Sequence, residues 1–352
     1  MPVNCAVHPK PITIIGGGLA GLTLGIGLRR SGIPVTVVEA GRYPRHRVCG
    51  EFISGRGQKI LERLGLLEAL SKAGARPAET LAFYSDRTST GNLSLPSPAL
   101  CCSRFCLDAV LAREFQNLGG ELKEGTRWTG PIEGAGLIRA TGRRIHSPAK
   151  GWRWFGLKVH ARQVALDADL EMHFHADAYI GLCRLDDDQV NICGIFRRRS
   201  PEPTPHRTWK EQLRGQPGSI LFDRLAAAAL EESSFCAVAG LGIEGRCAPS
   251  LKECCVGDAL GMIAPMAGNG MSMAFETADA AIGPLSDYSR NGIDWQQAQR
   301  VIGDKDRRLL RRRLNVAAWL HTAAFWKVTR LAMIRLLRRR PGLLRWFFFL
   351  TR

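Results

Sequence analysis

The chain has 352 residues, 45% hydrophobic and 23% charged, which suits one large domain or two coupled ones and excludes a disordered chain. The formal net charge is +17, but residues 305–352 carry 14 Lys and Arg against one acid, Asp306. The remainder is nearly balanced, which excludes a uniformly basic nucleic-acid binder. The eleven cysteines are odd in number and form no Cys-x-x-Cys pair. Met1–Pro11 holds no apolar signal segment, and no run reaches about 18 uncharged apolar residues. A reduced, cytoplasmic protein with no spanning helix and no metal site is the expectation.

In chain order, Ile12–Ile15 predicts a short strand, 16–21 a glycine turn, and Leu22–Arg30 a helix ended by Ser31-Gly32. Val35–Val38 predicts a second buried strand closed by Glu39, giving β-turn-α-β and hence a parallel sheet. Further on, Lys59–Ala73 and Phe105–Leu118 read as helices, with strand-like Thr80–Ser85 and Asn92–Leu95 between them. Leu137–Ala140 is another short strand. From Phe155 to Phe196 four short runs with β character predict an antiparallel meander. Trp209–Glu232 reads as mostly helical, Cys254–Val256 as a buried strand and Gly270–Ile282 as a helix.

Gly16-Gly17-Gly18-Leu19-Ala20-Gly21 fits G-x-G-x-x-G. Gly16 makes the tight turn, Gly18 lets the backbone approach a pyrophosphate, and Gly21 permits close helix–strand packing. The helix N-terminus then offers free amides to phosphate. Glu39, after 17 intervening residues, can accept from both ribose hydroxyls of an adenosine. The motif alone is weak, but its place after a strand, before a helix and ahead of an acid outweighs a ligand-free glycine turn.

A second motif runs from Gly257-Asp258 through Pro265-Met266-Ala267-Gly268-Asn269-Gly270-Met271. With the first loop and Arg104, it resembles the flavoprotein superfamily of para-hydroxybenzoate hydroxylase and geranylgeranyl reductase. The resemblance covers most of the chain up to about residue 290. It implies FAD as cofactor, with Gly257 and Asp258 on the ribityl chain. Pro265, Gly268, Asn269, Gly270 and Met271 would lie in the loop against the flavin ring, and Arg104 would touch the cofactor. Independently, free amides at Gly268–Gly270 would stabilise negative charge on the reduced ring. Arg45-His46-Arg47-Val48-Cys49-Gly50-Glu51 resembles the cysteine-glycine segment of geranylgeranyl reductases. Arg47 would neutralise phosphate, and Cys49 would be either a proton donor with a lowered pKa near those cations or a packing residue. The superfamily's Asp-Gly motif for NAD(P)H is replaced by Thr141-Gly142, so NAD(P)H is expected as an electron donor but not a tightly bound one.

The expected architecture is α/β: a Rossmann-like FAD-binding domain (1–80, 101–150 and 247–300), an inserted antiparallel β-sheet substrate domain (81–100 and 151–246) and a basic C-terminal helical region (301–352). Trp154, Tyr179 and Phe196 are candidates to line an apolar substrate pocket, although strand aromatics are more often core. His173 and His175 read as surface residues. The tail interleaves basic and apolar residues and ends in an aromatic run, which suits either an anionic membrane surface or a helical cap on the FAD domain. The activity expected is redox chemistry on a hydrophobic small molecule. A monooxygenase acting through a flavin C4a-hydroperoxide is slightly favoured over a C=C reductase. A flavin-bearing RNA-binding protein and a non-catalytic cofactor-binding subunit are the competitors outside that class.

Overall fold

The structure is a computed structural model, and it describes residues 8–143, 151–186, 188–200, 207–242 and 253–351. Part of the domain division (residues 1–7, 144–150, 201–206 and 243–252) and Arg352 of the basic tail lie outside the described residues.

Two sheets organise the chain. The first has five strands in the order Cys254–Cys255, Leu137–Arg139, Ile12–Ile15, Val35–Val38, Glu121–Lys123, every pair parallel. Its central strands, ITII and VTVV, are β-branched and buried, as a strand covered on both faces requires. The helix Leu19–Arg30 packs beside the helices Arg104–Asn117 and Gly270–Ser289. Gly25 leaves room for the Phe115 ring of one neighbour and Gly27 for the Ile282 side chain of the other. Phe115 is fully buried there, which contributes about 1.5–3 kcal/mol.

The second sheet has nine strands. Ala229–Ala239, Gly151–Arg162, Val190–Ser200, Ala178–Arg184 and Leu170–Phe174 form an antiparallel run. Arg76–Ser85 then joins Leu170–Phe174 in parallel, and Leu93–Cys101, Phe52–Ile53 and Thr88–Ser89 complete the sheet with antiparallel pairs. The sheet therefore draws on residues 52–101 as well as on the later meander.

One expectation fails. Trp209–Glu232 is not mostly helical: two short helices, Trp209–Arg214 and Ile220–Arg224, give way to the strand Ala229–Ala239. Pairing with Gly151–Arg162 overrides the helix preference of its Ala-Leu-Glu-Glu start.

The tail is three helices, Trp295–Ala324, Lys327–Arg339 and Leu343–Thr351. A buried ion pair, Arg313 Nη1 to both Glu276 oxygens at 2.9 Å, fastens the first of them to Gly270–Ser289. Leu310, Leu314 and Ala317 of the same helix pack with Tyr179 and Ile195 of the second sheet. The cap reading of the tail thus describes its inner face.

Candidate functional site

The first glycine loop is shaped as its spacing predicts. Gly16 takes a φ of 109°, in the left-handed region that favours glycine. A side chain on Gly21 would overlap the Gly16 carbonyl, whereas one on Gly18 would meet nothing within 4 Å. Gly18 therefore faces open space. The helix beginning at Leu19 has no side-chain cap, so its first amides are free for a phosphate. Glu39 closes the loop from the other side: Oε2 accepts from the Gly17 amide and Oε1 from the Gly41 amide, both at 2.8 Å. Arg45 Nη2 lies 2.7 Å from Oε1 and Arg47 Nη2 4.0 Å from Oε2. Burial works to raise the Glu39 carboxyl, but the Gly41 amide and the Arg45 guanidinium carry it below its ordinary value. The anion is therefore preformed where an adenosine ribose would meet it.

The second motif abuts the first. Gly257, with a φ of 65°, starts a single 3₁₀ turn, and a Cβ there would strike Ala20 at the start of the first helix. The Gly257 amide donates to Thr277 Oγ1 at 2.9 Å. Enclosure raises the Asp258 carboxyl to about 6, against the pull of Arg104 and Arg143. Arg104 is buried and grips Asp108 through two bonds of 2.7 and 2.9 Å, and Arg47 Nε reaches the same carboxylate at 3.3 Å. Two guanidinium groups thus converge between the two glycine motifs.

Pro265–Ala267 forms a turn ended by Gly268, whose φ of 59° and contact with the Phe52 ring both exclude a side chain. Asn269 precedes the helix Gly270–Ser289, which also lacks a side-chain cap. Asn269 is buried: its Nδ2 donates to the Thr351 carbonyl at 2.7 Å, while its Oδ1 has no partner among the described residues. Met271 is buried in the core around the first sheet. Free amides, an orphaned acceptor and the Gly18 cradle fit an adenine–flavin dinucleotide lying from Glu39 to Gly270.

A model described as "FAD binding domain" matches residues 10–150. An FAD-binding domain is therefore present in the chain. Over 147 aligned residues the chain is 29% identical to 6-methylpretetramide 4-monooxygenase of Streptomyces rimosus, covering 38% of this chain and 35% of that protein. A stretch of 116 residues is 38% identical to a 1H-pyrrole-2-carbonyl-[peptidyl-carrier protein] brominase of Pseudoalteromonas luteoviolacea, covering 32% and 28%. The alignments thus span about a third of these curated relatives. Among solved structures, a flavin-dependent brominase superposes with a TM-score of 0.75 at 18% identity, over 98% of this chain and 93% of that one. PqsL of P. aeruginosa, in complex with 2-aminobenzoylacetate, gives 0.69 at 16%, over 92% and 99%. These structures establish that the FAD-binding domain and the second sheet together follow a flavoprotein fold.

Several expected residues sit differently from their sequence reading. Burial pushes the Cys49 thiol up, with Arg104 opposing, which is opposite to the direction expected from neighbouring cations. The thiol holds its proton, and its sulfur accepts from the Glu51 amide at 3.5 Å. Trp154 and Tyr179 share one face of the second sheet, packed about His321 and Phe325 at ring distances of 4.8–6.0 Å. Phe196 does not join them. Strand alternation turns it to the other face, stacked on Phe155 at 5.2 Å, and puts Ile195 beside Tyr179. His173 and His175 are buried, not surface residues: His173 bonds Glu171 at 2.9 Å and stacks on Tyr84. Among the described residues no cluster of His, Cys, Asp and Glu could hold a metal.

Two features were not read from the sequence. One is an apolar cavity of about 110 Å³, walled by Met266, Gly268 and Phe52 on the loop side, Met172 on the sheet side, and Leu337 and Phe347 on the tail side. The other is a buried polar knot. Glu51, fully buried and at a φ of 59°, accepts from His160 Nε2 at 2.7 Å and from the Arg104 amide at 2.9 Å. Lys158, also fully buried, lies 3.6 Å from Glu51 and 3.1 Å from His46 Nδ1. His46 is lowered to about 4 by burial and by Lys158, so it accepts from the ammonium. Lys158 falls in a run read as β from the sequence, but the positive φ at Glu51 and the pairing of these two distant residues leave no mark in a single sequence.

Proposed function

We propose that the chain is an FAD-dependent monooxygenase acting on an apolar or aromatic small molecule. The observation that carries this reading is the cavity, because Met266 and Gly268 of the flavin-ring loop form one of its walls. When bound, FAD supplies the two-electron chemistry that activates oxygen. The chain's part is to orient and enclose. The Glu39 carboxylate receives the ribose, and the Gly18–Leu19 amides receive the pyrophosphate. Asp258 would receive the ribityl chain, and the uncapped start of the helix Gly270–Ser289 would meet the ring edge, with the Gly268 amide donating to the Pro265 carbonyl at 2.9 Å to fix that loop. The Glu51 knot holds the Arg104 helix start and Cys49 against the second sheet. Phe52, Met172 and Phe347 keep water from the reacting atoms.

The names of the relatives support the reading. They include a monooxygenase, a brominase and a squalene epoxidase, and the PqsL crystal holds a small aromatic molecule. NAD(P)H is proposed as a transient donor, since Thr141-Gly142 offers no carboxylate to retain it. No helix among the described residues is long and apolar enough to cross a membrane. Attachment to an anionic membrane surface through the outer face of the basic tail is proposed instead.

The test is oxygen uptake by FAD-loaded protein with NAD(P)H and a panel of apolar aromatics and polyenes, in ¹⁸O₂. Substrate-dependent uptake with label in the product is expected. A product formed only in the absence of oxygen would replace the reading with a C=C reductase. A gel shift with RNA and no turnover would replace it with a nucleic-acid-binding role.

A further inference from the structure

The helix Leu343–Thr351 has the sequence LLRWFFFLT, with one charge in nine residues. Its inner face, Leu344, Phe347, Phe348 and Thr351, is spaced for one side of a helix and lines the cavity beside the flavin-ring loop. Its outer face carries two large aromatics, Trp346 at 57% exposed and Phe349 at 74%, beside exposed Arg345. Large aromatics exposed on a helix whose other side is already packed mark an interaction surface. The preceding helix, Lys327–Arg339, contacts Arg76–Ser85, while Leu343–Thr351 contacts the adjacent strand Leu93–Cys101, and Leu337 and Leu344 meet over Leu93. Lying on neighbouring strands of one sheet, the two helices turn their outer faces the same way. That shared face carries exposed Val328 and Leu336 among exposed Arg335, Arg338, Arg339 and Arg340. Aromatic side chains among clustered cations suit the headgroup layer of an anionic bilayer. Pro341-Gly342 links the two helices, and Gly342 has nothing within 4 Å of a built Cβ, which is the make-up of a hinge. The latch is on the page as well. The buried Asn269 of the flavin-ring loop donates to the carbonyl of Thr351 at the end of this helix.

We propose that the helix Leu343–Thr351 is a lid on the cavity, latched through Asn269 and opened when Trp346 and Phe349 insert into an anionic bilayer, so that an apolar substrate enters from the lipid. The proposal rests on reading the cavity as the substrate site. It adds a substrate class, molecules dissolved in the bilayer, and a trigger, the surface itself.

The test uses the full-length, FAD-loaded protein carrying Ala99→Cys, a buried cavity-lining position, labelled with a maleimide and read by peptide mass at that site. Labelling is expected to be slow in solution and at least tenfold faster with vesicles of phosphatidylcholine and phosphatidylglycerol. Phosphatidylcholine alone should leave it unchanged. Adding Trp346→Glu and Phe349→Glu, both solvent-exposed, should abolish the acceleration while flavin absorbance and unfolding temperature stay as they were. Fast labelling without vesicles overturns the lid. So does co-sedimentation with anionic vesicles without faster labelling, in which case membrane attachment stands alone. Absence of co-sedimentation at low salt, with RNA bound instead, overturns the bilayer as partner. Oxygen-coupled turnover, measured separately, distinguishes each of these from failure of the monooxygenase reading.

Discussion

Replacing Glu51 by Gln strands the fully buried Lys158 without its carboxylate, 3.6 Å away, while changing almost no volume. Breaking a buried pair from one side costs about 3–5 kcal/mol, because the remaining charge stays desolvated. The unfolding entropy of ~2.1 cal/mol/K per residue amounts to roughly 0.7 kcal/mol/K over 352 residues. The midpoint should therefore fall by roughly 4–7 °C in a scanning fluorimetry or calorimetry experiment. Lys158→Met should also destabilise, leaving Glu51 with only His160 and the Arg104 amide. The double variant Glu51→Gln with Lys158→Met should recover most of the loss, since with both charges gone none is left stranded. Additive losses, or a fall of less than about 1 °C for Glu51→Gln, would refute the claim that the two side chains compensate each other.

Three further outcomes are expected. Asp306 is buried, both its oxygens lack a partner among the described residues, and burial raises it to about 7. A raised carboxyl favours the folded state at low pH and costs stability as pH rises from the unfolded value through 7. Asp306→Asn should therefore stabilise by up to ~4 kcal/mol at pH 8.5, with the gain fading towards pH 4, read from unfolding midpoints across that range. Glu39→Gln weakens bonds made to a carboxylate, worth about 1.5–3 kcal/mol, so the dissociation constant for FAD should rise roughly 10–100-fold in a flavin fluorescence titration. Phe196→Ala should cost roughly 3–5 kcal/mol of stability, read from denaturant midpoints, with the FAD dissociation constant unchanged, because its ring packs on the far face of the second sheet.

The dinucleotide end of the site was legible because its chemistry is local. Gly16, Gly18, Gly21 and Glu39 lie within one β-turn-α-β unit, and each turn position demands a glycine for a reason visible in the spacing. Gly257, Asp258 and Gly268 were legible through resemblance, and their seating on Ala20 and Phe52 gives that resemblance a physical footing. The substrate side was not legible, because it is assembled from distant pieces. Its cavity joins residues near 52, 172, 266 and 347, whose proximity depends on the parallel pairing of Leu170–Phe174 with Arg76–Ser85 and on the tail folding back. Phe196 failed as a pocket residue for a simpler reason. Aromatic character says that a strand residue is buried, but only the register says on which face. The strand Ala229–Ala239 was lost to helix because its first residues favour helix in isolation.

The central claim is that the two glycine motifs jointly hold one FAD, and calorimetric titration of the purified, folded chain with FAD tests it most directly. One molecule bound per chain, with a perturbed visible flavin band and binding lost in Asp258→Ala, is the predicted result. A folded protein that gives no heat and stays colourless would contradict it.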